Sequence, residues 1–88
     1  MQDELRAYVA SQQGVRQVRI TSEQVTGLGG DPTDQTELIT VQFAALDAGD
    51  ATAAALGLLI VTESTLYCVD WGIADLEVVM IFTPYTLH

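Results

Sequence analysis

Four carboxylates in the last third of the chain, Glu63, Asp70, Asp75 and Glu77, are the side chains best suited by type to do chemistry. General acid–base catalysis needs only two such groups held in one cleft. Asp70 is the most suggestive, because on a regular strand it shares a face with Leu66 and Cys68. An Asp at such a point more commonly accepts backbone hydrogen bonds, here at a turn over Trp71-Gly72, and that is the expected role.

Nucleophilic chemistry has little to draw on. His88 is the only histidine and the last residue, where chains fray. Cys68 is the only cysteine and reads as a small buried hydrophobe in a strand. Ser11, Ser22 and Ser64 do not sit in a Gly-x-Ser-x-Gly elbow. One His and one Cys cannot complete a tetrahedral zinc site. The expectation is a protein that is not an enzyme and carries no cofactor.

The loop Gly27-Leu-Gly-Gly-Asp-Pro32 begins like a dinucleotide fingerprint. Pro32 occupies the third glycine position, however, and the segment that follows reads as strand, so no helix N-terminus meets a phosphate. No lysine exists for a P-loop. Asp31, Asp34 and Glu37 recur every three residues and could gather oxygen around a hard cation. EF-hand spacing is absent, so weak cation association is expected there and no specific metal site.

Charge narrows the partners. The 88 residues hold 12 acidic and 3 basic side chains, for a net charge of −9. The basic ones are Arg6, Arg16 and Arg19, and there is no Lys. Nucleic acid is excluded as a partner, since its affinity comes from Lys and Arg on phosphates, and so are anionic membrane surfaces. An acidic surface without lysine also suits cells with molar internal salt, which would screen the self-repulsion. Arg16 and Arg19 differ by an odd number, so on a regular strand they point to opposite faces and form no joint clamp. Each is expected to meet a carboxylate, across a dimer if not within the chain.

The length predicts a single domain over 1–88 with a small core. The acidic start Met1-Gln2-Asp3-Glu4 predicts no secretory leader. The longest apolar run, Ala53 to Val61, is about half of a membrane span. A cytoplasmic location is expected, in keeping with a single cysteine.

The elements that must position these residues follow from periodicity. Asp3 to Gln13 reads as a helix, with Leu5, Tyr8, Val9 and Gln12 at helical spacing and Gly14 at its end. Val15 to Thr26 reads as a polar edge strand. Glu37 to Leu46 alternates cleanly, with Ile39, Val41, Phe43 and Ala45 on one side. Ala51 to about Thr62 reads as a second helix capped by Asp50, although Leu58 to Val61 fits helix and strand equally. Thr65 to Trp71 and Leu76 to Thr83 form a final hairpin around a turn at Gly72 to Asp75, and Pro84 ends its pairing. The fold class is α+β: a small two-layer domain in αββαββ order, with one four-stranded, mainly antiparallel sheet and both helices on one face.

That final hairpin is apolar on both sides, whereas a small antiparallel sheet normally wets one face. With helices on one face, Tyr67, Val69, Trp71, Val79 and Ile81 are expected to form a patch on the other. Monomers rarely expose patches of several hundred Å². The expectation is a homo-oligomer, in its simplest form a dimer, in which Trp71 is buried only on association. An unidentified protein partner is a further occupant of such a patch. The competing expectation is a small-ligand or regulatory module with a pocket at the sheet–helix or dimer seam.

Overall fold

The computed structural model describes residues 2–27, 33 and 35–85. Its elements are α1 (Gln2–Ala10), β1 (Val15–Thr26), β2 (Gln35–Ala45), α2 (Ala48–Thr62), β3 (Leu66–Ala74) and β4 (Glu77–Pro84). The expected α+β class and element order hold. All neighbouring strands are antiparallel, in the order β1-β2-β4-β3. The two hairpins therefore join through β2 and β4, which leaves β1 and β3 as the edges.

Both helices lie on one face of this sheet. β2 and β4 send Ile39, Val41, Phe43, Val78, Met80 and Phe82 into a buried layer beneath them. From above, α1 contributes Leu5 and Val9, and α2 contributes Ala51, Ala54, Ala55 and Leu58. The alanines let α2 approach the sheet closely, and they are also the strongest helix formers. Leu58 to Val61 is thereby helix, because burying Leu58 completes a stripe with Ala51, Ala54, Ala55 and Thr62. Leu56 and Ile60 lie on the outer side of the same helix and are exposed.

Several boundaries differ from expectation. The first helix ends at Ala10. Gly14 follows at φ +76°, a left-handed residue that turns the chain into β1, and its carbonyl accepts the Leu46 N–H at 3.1 Å. The second helix begins at Ala48 and is capped by Asp47, whose Oδ1 accepts the Asp50 N–H at 2.8 Å. Asp50 thus occupies the first turn, where its charge meets the helix dipole. The last turn is Asp75-Leu76, with φ of 52° and 66°, and not Gly72 to Asp75. Positive φ at both residues is the requirement of a type I′ hairpin turn. Pro84 still pairs, opposite Leu66.

Two edge irregularities matter most. In β1 the register steps from Arg16↔Ala44 to Arg19↔Gln42, and Gln17 within the step has φ 57°. In β3 it steps from Cys68↔Phe82 to Asp70↔Ile81, which leaves Val69 as the extra residue. Each is a β-bulge, and beyond a bulge every side chain changes face relative to simple alternation.

Candidate interaction face

The residues singled out for catalysis are spread over the described structure. Glu63 ends α2 and Asp75 sits in the last turn, both exposed. Asp70 is opposite Ile81 and Glu77 opposite Ala74, four residues apart along β4 and so about 13 Å apart. Asp70 does not share a face with Leu66 and Cys68, because the Val69 bulge turns it away. Its Oδ1 accepts the Trp71 N–H at 2.9 Å, the backbone role that its residue type suggested.

Cys68 is partly buried and its Sγ donates to the Asp70 carbonyl at 3.5 Å. Burial pushes the thiol pKa above its ordinary value, with the Asp70 charge adding to that. Ser11 donates to the Tyr8 carbonyl at 2.6 Å. His88, the loop 28–32 and Asp34 lie outside the described residues, so of the acidic cluster only Glu37 is placed, on β2. Among the described residues no three His, Cys, Asp or Glu side chains gather as a metal site. No helix among them is long and apolar enough to cross a membrane.

The sheet face turned away from the helices is built in rows across all four strands. Arg16, Ala44, Glu77 and Ala74 form the first row, and Arg19, Gln42, Val79 and Gly72 the second. Thr21, Thr40, Ile81 and Asp70 form the third. Further along, Tyr67 stands opposite Thr83, and its ring meets that of Tyr85 edge-on at 6.4 Å. The Thr83 hydroxyl oxygen is buried there without a hydrogen-bond partner among the described residues. A shallow depression of about 230 Å³ opens between Arg19 and Glu77, floored by Gln42, Ala44 and Val79.

Of the five residues expected to share one patch, register places Tyr67, Val79 and Ile81 on this open face. Val69 is the bulge residue. Trp71 is opposite Met80, and Ile73 opposite Val78, which puts both on the face that bears the helices. Both remain exposed there, at 40% and 39%, so the helical layer leaves that end of β3 uncovered.

The open face also holds a pair that simple alternation separates. The β1 bulge brings Arg16 and Arg19 to the same face, opposite the outward-facing Ala44 and Gln42. The sequence does carry the signal: Val15, Val18 and Ile20 all pack toward the core, and the three-residue step from Val15 to Val18 requires one inserted residue.

No family model, no curated protein and no solved structure matches this chain.

Proposed function

We propose that this is a small, acidic, non-enzymatic interaction protein of the cytoplasm, which self-associates as a homodimer through the open face of its sheet. The observation that carries this reading is the uncovered face itself. Both helices lie on the opposite side, and Val79, Ile81 and Tyr67 stand on a surface that no segment of the described chain covers. A two-layer α+β domain buries one sheet face, and apolar side chains on the second are the usual mark of an interface. An isologous contact across this face removes the strip from water in both copies.

A ligand-binding role has weaker support. The hollow lined by Gly72, Ile73, Ala74, Glu77 and Val79 is about 320 Å³. That is the lower end of the range for small-molecule sites, and Glu77 is its one polar side chain.

Equilibrium unfolding over a roughly hundredfold range of protein concentration tests the dimer, because a folded state that includes a partner becomes more stable by mass action. The unfolding midpoint is expected to rise with concentration in the wild type and to be independent of it in Ile81→Arg. A wild-type midpoint independent of concentration would remove the proposal.

A further inference from the structure

The open face carries a charge pattern that the described residues of a single chain do not close. Arg16 and Arg19 stand on β1, at one edge of the sheet, while Asp70 on β3 and Glu77 on β4 stand toward the other. The inter-strand spacing puts β1 and β3 about 14 Å apart, too far for an ion pair across the face, and β1 and β4 about 10 Å apart, a span that only an extended arginine closes. Neither Arg16 nor Arg19 forms an ion pair among the described residues. In a chain of net charge −9, two of the three cations are thus held together and exposed, with no ion pair among the described residues.

A second observation lies at the far end of the same row. Gly72 is in the middle of an edge strand, where glycine weakens the strand. A β-carbon built there meets nothing within 4 Å, so no neighbour in its own fold demands glycine. Glycine inside a strand accompanies a bulge, a tight bend or the close approach of another group, and Gly72 lies beyond the Val69 bulge with free space above it. Together with Ala74 it leaves a low strip along β3, bordered by Asp70 and, on β4, by Glu77.

We propose that two copies of this chain pack open face to open face about a two-fold axis parallel to the strands, with Arg16 and Arg19 of each copy lying over the Ala74–Gly72 strip of the other, between its Asp70 and Glu77. This rests on the self-association proposed above and specifies its geometry. A two-fold axis between β2 and β4 places β1 of one copy over β3 of the other and returns each row to itself. Arg19 then meets Gly72 of the second copy, Arg16 meets Ala74, and the polar Gln42 of one copy adjoins Val79 of the other. Facing sheets are about 10 Å apart, a gap that an arginine spans and that side chains at positions 72 and 74 would otherwise fill. The occupant is a second copy because, over the three rows from Arg16 to Asp70, the pattern is complementary to itself: cations on the β1 side and carboxylates on the β4–β3 side, exchanged by the rotation, with Glu23 one row further along β1.

Complementary charge reversal tests the geometry. Arg16→Glu with Arg19→Glu gives one variant, and Asp70→Arg with Glu77→Arg gives a second. All four positions are exposed, so both variants are expected to keep the wild-type far-ultraviolet circular dichroism. Light scattering near physiological salt is expected to find each variant alone at single-chain mass and an equimolar mixture at twice that mass. Only the mixed pair sets opposite charges against each other at both symmetric contacts. A mixture that stays at single-chain mass while the wild type is dimeric would overturn the geometry and leave self-association standing. A wild type at single-chain mass here and in molar KCl, at every concentration, would overturn both. Should the Asp70 change unfold the second variant through loss of the Trp71 hydrogen bond, the pair Arg16→Glu and Glu77→Arg makes the same test with the same two outcomes.

Discussion

Arg19 and Gly72 are the two ends of one row of the sheet, joined through Gln42 and Val79. One end is the longest cationic side chain available and the other has no side chain, about 14 Å away across four strands. Within one copy they cannot meet. A two-fold axis between β2 and β4 superposes them.

This relationship separates fold stability from association at Gly72. Replacing a glycine inside a strand with valine stabilises an isolated chain by about 1 kcal/mol, and the space above Gly72 is free to receive it. The same side chain fills the strip that Arg19 of the second copy is to cover. Gly72→Val is expected to raise the unfolding midpoint measured at the lowest concentration and to weaken dimerisation at least tenfold. Unchanged dimerisation would show that nothing approaches Gly72.

The last turn stores strain. Leu76 has φ 66°, a left-handed conformation that costs a side-chain-bearing residue about 1 kcal/mol, where Asp-Gly is the favoured turn pair. Leu76→Gly is expected to raise the melting temperature by about 4–8 °C for a domain of this size. A fall would mean that the partly exposed Leu76 side chain contributes more than its backbone costs.

Tyr8 and Gly57 are coupled across the two helices. A β-carbon on Gly57 would lie 2.6 Å from the Tyr8 hydroxyl and 3.7 Å from its ring carbon Cζ. Gly→Ala inside a helix gains about 1 kcal/mol when the site is open. Gly57→Ala alone is expected to gain little, and Gly57→Ala in a Tyr8→Phe background to gain close to the full amount. A double-mutant cycle on chemical denaturation measures the coupling, and additivity would contradict it.

Cys68 gives a signed pH dependence. Its folded thiol is held above the ordinary value of 9.0 by burial, whereas the unfolded thiol ionises near that value. The unfolded state therefore releases its proton first as pH rises, and the stability contributed below pH 9 is lost on moving above it. The wild type is expected to lose stability above pH 9 more steeply than Cys68→Ala, as read by denaturant midpoints from pH 7 to 10.5. Parallel curves would contradict this.

Much of the fold was legible because β2 obeys the simplest rule. Ile39, Val41, Phe43 and Ala45 alternate without interruption and all are buried. The edge strands were harder because each carries one extra residue. On β3 the inward positions run Leu66, Cys68, Trp71 and Ile73, and strict period-two counting from Leu66 assigns Trp71 to the wrong side. That single insertion moved Trp71 out of the patch expected with Val79 and Ile81, and the one on β1 brought Arg16 and Arg19 together. The last turn was misplaced for a different reason: Gly72 is the conspicuous turn residue, but it lies within the strand, and the chain reverses at Asp75-Leu76 without any glycine.

The most direct test of self-association is the solution mass by light scattering, at low salt and in molar KCl. Two copies of charge −9 repel at low ionic strength, and salt screens that repulsion. The expected result is a mass twice the 9.5 kDa of one chain in molar KCl, with some dissociation at low salt. A mass of one chain under both conditions, at every concentration, would contradict the account.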